Sequence, residues 1–163
     1  MTDNENTAAT LFINADAKGE ILVCEEGLSF WGGVDPDTAK IIDVYHPNFG
    51  ELLTGKIVMM PSSRGSCSGS GVLLQLARKG LAPAALIFWK PESILTLGAI
   101  ISDRLFDCPV PTIRLPRRLY KAVSLAKEAE IKDLTLVYSQ ERISLSLPSI
   151  DNLRLTKNDI QML

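Results

Sequence analysis

The stretch that decides the fold runs from Gly55 to Phe88 and reads GKIVMMPSSRGSCSGSGVLLQLARKGLAPAALIF. Its first six residues, Gly55–Met60, are an apolar run stopped by Pro61, the pattern of a buried central strand. Pro61–Gly71, PSSRGSCSGSG, is rich in glycine and serine and forms a loop. Beyond it Val72, Leu73, Leu76 and Ala77 recur at helical spacing, with Ser68 or Ser70 placed to cap the helix N-terminus. Arg78 and Lys79 fall in the last turn, and Gly80 stands where a helix stop favours glycine. Pro83–Phe88 is a second buried strand. Strand, loop, helix, strand is the unit of a parallel α/β sheet.

Working outward, the pattern repeats once. Ser93 is placed to cap a helix through about Phe106, with Ile94, Leu97, Ile101 and Leu105 on one face. Val110–Leu115 reads as a strand and Arg117–Glu130 as an amphipathic helix. Leu134–Tyr138 and Arg142–Leu147 close the domain as a hairpin. Toward the N-terminus, Thr10–Asn14 and Glu20–Cys24 are strand-like and Asp16–Gly19 is the turn between them. A third run, Lys40–Asp43, lies between the irregular segments Leu28–Asp37 and Val44–Gly50. The expected organisation is a disordered leader over 1–9, one domain over 10–150 and a polar tail over 151–163.

Size and composition set the class. The chain has 163 residues, 46% of them hydrophobic and 22% charged, ordinary proportions for one domain. No apolar run approaches the roughly 18 residues that cross a bilayer, and the start, MTDNENTAAT, is not a secretory signal. The expectation is a cytoplasmic protein. With 17 basic and 19 acidic residues the net charge is −2, which argues against nucleic acid as a partner. The one basic cluster, Arg114, Arg117, Arg118 and Lys121, reads as the solvated end of a helix.

Chemistry concentrates in Pro61–Gly71. A glycine-rich loop entering a helix offers backbone N–H groups and the positive end of the helix dipole. Gly65, Gly69 and Gly71 let the backbone approach a ligand, and Ser62, Ser63, Ser66, Ser68 and Ser70 add hydroxyls. Arg64 supplies a fork suited to carboxylate or phosphate. These groups together predict a site for a small anionic substrate. Neither a Walker lysine nor a GxGxxG fingerprint is present. Gly65–Gly69 does read G-x-C-x-G, so one alternative is a self-contained thiol hydrolase using Cys67, with His46 as base and Asp43 to orient it. Another is a non-catalytic anion-binding module. Cys24, Cys67 and Cys108 are widely separated, with no CxxC pair, so neither a zinc site nor a cluster held by this chain is expected.

Several motifs together resemble one family. SFWGGVDPDT (29–38), IIDVYHPNFG (41–50), GKIVMMPSSRGSCSGS (55–70), LAPAALIF (81–88) and ILTLGAIIS (94–102) are similar to the small subunit of aconitase X dehydratases. That group includes phosphomevalonate dehydratase and cis-3-hydroxy-L-proline dehydratase. The resemblance implies a swivelling β/β/α domain and a role as the small subunit of a heteromeric iron–sulfur hydro-lyase acting on a hydroxy acid. It implies further that the iron–sulfur cluster and most of the active site belong to an aconitase X large subunit. The serine after the Arg-Gly pair, Ser66, is then the proton acceptor. Arg64, Gly65 and Ser68 are the candidates for binding substrate, with Arg64 placed either to hold the substrate carboxylate or to lower the pKa of Ser66. In one departure, Ala39 stands where the family usually has glycine after Asp-Pro-x-Thr, which predicts an altered turn.

Overall fold

A computed structural model describes residues 8–148. In chain order the elements begin with β1 (Thr10–Leu11), β2 (Ala17–Val23), α1 (Phe30–Gly33), β3 (Ile57–Met59), α2 (Gly69–Arg78) and β4 (Ala85–Phe88). They continue with α3 (Ile94–Phe106), β5 (Thr112–Arg114), α4 (Arg117–Ser124), β6 (Glu128–Lys132), β7 (Thr135–Tyr138) and β8 (Glu141–Ser144). The eight strands form one sheet in the order β1-β5-β4-β3-β2-β6-β7-β8. Strands β2 to β5 are parallel neighbours, and the remaining pairings are antiparallel.

The parallel centre follows from side-chain alternation. Val58, Met60, Leu86 and Phe88 join the core beneath α2 and α3, where Leu73, Leu76, Leu95 and Ala99 also lie. Ile57, Met59, Ala85, Ile87 and Ile113 point the other way, into a second core with Tyr120 and Val123 of α4 and Leu136 and Ile143 of the hairpins. A strand buried on both faces reads as a continuous apolar run, which is why IVMM and ALIF were legible. The α/β expectation holds. The sheet also curls until its edges meet: Leu11 donates its N–H to the Ser146 carbonyl at 2.9 Å, and Ser146 donates to Ala9, also at 2.9 Å. Ala9, assigned from sequence to the leader, is buried at this seam. Residues 1–7 and 149–163, with nearly all of the expected leader and the whole tail, lie outside the described residues.

Several expectations need correction. The helix from Arg117 ends at Ser124, and Glu128–Lys132 becomes β6, because its alternating burial matches β2 and not a helical stripe. Asp16–Gly19 is no turn; β2 begins at Ala17. Lys40–Asp43 forms only isolated bridges, Lys40 to Leu52 and Ile41 to Val34. On α3 the expected face fails: Leu97 is 52% and Leu105 72% exposed, while Leu95, Thr96, Gly98, Ala99 and Ser102 are buried. The cause is close approach to α2, since a Cβ on Gly98 would lie 2.9 Å from the Ser70 carbonyl oxygen. The small residues therefore face inward. Capping also differs. Neither Ser68 nor Ser93 makes a side-chain cap bond, and Ser70 Oγ donates to the Cys67 carbonyl at 2.8 Å. The Gly80 stop forms as expected, with Leu81 N–H bonded to the Leu76 carbonyl at 2.9 Å.

Candidate functional site

The Gly/Ser loop leaves the C-terminal end of β3 and enters α2, the edge of a parallel sheet where ligands bind. Gly65 shapes it. Its φ is +91°, and an added Cβ would sit 2.3 Å from Ser29 Oγ, so only glycine fits between the loop and the 28–33 segment. Ser66, Cys67 and Ser68 follow on the exposed crest. Ser68 donates its N–H to Ser66 Oγ at 3.2 Å, and the two hydroxyls are also 3.2 Å apart. The N–H groups of Ser66 and Cys67 have no partner among the described residues and remain available to an anion.

Arg64 stands beside this crest, half-exposed. Its Nη2 lies 3.4 Å from Asp43 Oδ2 and its Nη1 3.8 Å from Glu26 Oε2. Ion pairs this exposed contribute about 0–1 kcal/mol, so they hold the guanidinium only weakly. Ser63 Oγ donates to Glu92 Oε1, and the Glu92 carboxylate accepts the N–H groups of Leu95 at 2.8 Å and Thr96 at 2.9 Å. Glu92 thus caps α3 and moors the loop. Sequence reading missed it; an acidic residue immediately before a helix start was the available signal.

His46 is not a base for Cys67. It is 2% exposed, its Nδ1 accepts the Asn48 N–H at 3.1 Å, and its Nε2 lies 3.4 Å from the Glu26 carbonyl. One ring nitrogen closes the 46–48 turn and the other faces the backbone of Glu26. Asp43 does not orient the ring; its Oδ1 accepts the Tyr45 N–H at 3.0 Å and its Oδ2 faces Arg64. The thiol-hydrolase alternative loses its catalytic pair. Cys24 is buried at the end of β2, and burial, reinforced by nearby Glu51, pushes its thiol up to about 12. Among the described residues no group of three or more His, Cys, Asp or Glu side chains is arranged to hold a metal ion. No described helix is long and apolar enough to cross a membrane.

Fold and site define a class: a mixed α/β domain curled on itself, carrying an exposed glycine/serine loop at the carboxyl edge of its parallel strands. The chain belongs to the aconitase X swivel domain family, whose model matches residues 7–144. It is 38% identical over 149 residues to a cis-3-hydroxy-L-proline dehydratase of Hypocrea jecorina, a match spanning 91% of this chain but only 25% of that enzyme. It is 44% identical over 103 residues to a phosphomevalonate dehydratase small subunit of Methanocella arvoryzae, covering 60% of this chain and 78% of the subunit. The crystal structure of Thermococcus kodakaraensis aconitase X in its holo-form superposes with a TM-score of 0.65 at 30% identity, over 85% of this chain and 97% of the other. The swivel architecture expected from the sequence motifs is therefore correct.

Proposed function

We propose that this chain is the small, swivelling subunit of a heteromeric iron–sulfur hydro-lyase that dehydrates a hydroxy acid, with Ser66 as the proton acceptor. The observation that carries the reading is the loop crest, where an exposed Ser66 Oγ accepts the Ser68 N–H at 3.2 Å beside two unpartnered amides. Dehydration takes a proton from carbon and expels a neighbouring hydroxyl. A serine is a weak base in water, and each N–H aimed at its oxygen favours the alkoxide. On this chain Ser66 takes the proton, Ser68 and the Gly65 turn hold it in position, and Arg64 binds the substrate carboxylate.

Membership of the family and the dehydratase names of the relatives support the reaction class. The substrates in those names, cis-3-hydroxy-L-proline and phosphomevalonate, are the first candidates. An aconitase X large subunit is the proposed partner and would carry the cluster, for which the described residues offer no ligand set. Exposed apolar side chains beside the loop support a partner there: Trp31 is 62%, Tyr45 91% and Phe49 55% exposed.

The test is reconstitution with the large subunit and assay on both substrates. The chain alone is expected to be inactive and the complex active. Ser66→Ala is expected to lower kcat roughly 10²–10⁴-fold without changing assembly. A fully active Ser66→Ala complex overturns the assignment of the base. Anion binding without turnover in any complex overturns the enzymatic reading.

A further inference from the structure

We propose a second anion-binding site, separate from the loop crest, in the cavity between the ends of β4 and β5 and the start of α3. The cavity has a volume of about 210 Å³, and its lining includes Phe12, Phe88, Lys90, Glu92, Thr96 and Arg114. Arg114 Nε is buried there without a hydrogen-bond partner. No carboxylate among the described residues lies within 4 Å of the Arg114 guanidinium or of Lys90 Nζ. A guanidinium N–H withdrawn from water and left unpaired is costly, and native proteins rarely tolerate one without a ligand, ion or water to meet it.

Other features of the cavity point to the same ligand chemistry. Its one acidic group, Glu92, is already saturated by the α3 amides, Thr96 Oγ1 and Ser63 Oγ, so it does not neutralise Arg114. Two cations against one committed carboxylate leave the cavity net positive. Phe12 and Phe88 form an apolar wall, which strengthens a charge-assisted hydrogen bond by excluding water. The site opens at the carboxyl edge of the parallel strands, one strand along from the loop, and Lys90 N–H is bonded to the Pro61 carbonyl at 2.9 Å. The ligand class is a small oxyanion, a phosphoryl or carboxylate group, held by the Arg114 fork and Lys90.

The experiment titrates the full chain with inorganic phosphate and, separately, with acetate, following Arg114 Nε–H and the amides of Ser93 and Thr96 by NMR. Saturable shifts at these groups are expected. Arg114→Met should weaken binding about tenfold or more, matching the loss of a charge-assisted bond, and Lys90→Met about threefold. Arg64→Gln should leave the affinity within about twofold, which separates this cavity from the loop and from the proposed hydro-lyase role. Shifts with phosphate alone identify a phosphoryl site, and shifts with acetate as well identify a general oxyanion site. Lys90 is exposed, so Lys90→Met decides the matter where Arg114→Met does not fold. Shifts confined to residues 64–69, unaltered affinity in both variants, or no response to either anion overturns the proposal.

Discussion

Gly65 carries the site at the scale of one residue, because its backbone turn sets where Ser66 stands. At φ +91° and with Ser29 Oγ against the missing Cβ, Gly65→Ala meets both strain and a clash. The expected outcome is a loss of about 1–3 kcal/mol in denaturant unfolding, together with a fall in kcat of the reconstituted complex as Ser66 is displaced. The cysteines give a second test. Cys67 is exposed and Cys24 buried with its thiol pushed up to about 12, so iodoacetamide should label Cys67 in the native chain and Cys24 only after unfolding. His46→Asn should leave the Cys67 labelling rate unchanged, since neither ring nitrogen is free to serve it. The loop itself, between a buried strand and a helix, was legible from its glycines and serines. A lone histidine is more often structural than catalytic, and the buried His46 follows that rule, with a partner at each ring nitrogen.

Between α2 and α3 the decisive quantity is distance between backbones. Gly98 packs 2.9 Å, measured from its virtual Cβ, from the Ser70 carbonyl, whereas a Cβ on Gly71 would meet nothing within 4 Å. Gly98→Ala gains about 1 kcal/mol of helix propensity and loses more to overpacking, for a net destabilisation of about 1–2 kcal/mol. Gly71→Ala keeps the propensity gain and is expected to stabilise by roughly 0.5–1 kcal/mol. Thermal unfolding of the pair checks both signs. Glu92→Ala strips the cap from α3 and the mooring from Ser63, and should cost about 1–2 kcal/mol in the same measurement. Helix positions were readable because capping chemistry and period act locally. The buried face of α3 was not, because spacing alone favours Ile94, Leu97, Ile101 and Leu105, while a close neighbour selects Gly98, Ala99 and Ser102.

Over the whole molecule, two buried acids couple stability to alkaline pH. Burial raises the Cys24 thiol from 9.0 to about 12 and, with Cys24 nearby, also raises the Tyr120 hydroxyl. A raised acid keeps its proton in the folded state after the unfolded chain has lost it. The stabilisation is therefore complete below pH 9.0 and drains away as pH climbs toward 12. Unfolding free energies measured from pH 8 to pH 11 should fall steadily. Cys24→Ala should flatten that slope without removing it, because Tyr120 acts in the same direction.

The α/β class, the strand–loop–helix–strand unit at its centre and the family resemblance were legible in the residues alone. Each rests on local pattern: continuous apolar runs, helical period, and residues whose side chains define a turn. Long-range packing set the rest: β6 leaves the expected helix, the sheet closes between Ala9, Leu11 and Ser146, and Arg114, on the strand the pattern marked, lines a cavity. Those outcomes depend on strands, helices and charges that meet from distant parts of the chain, and pairing across such separations leaves no mark on the spacing of neighbouring residues.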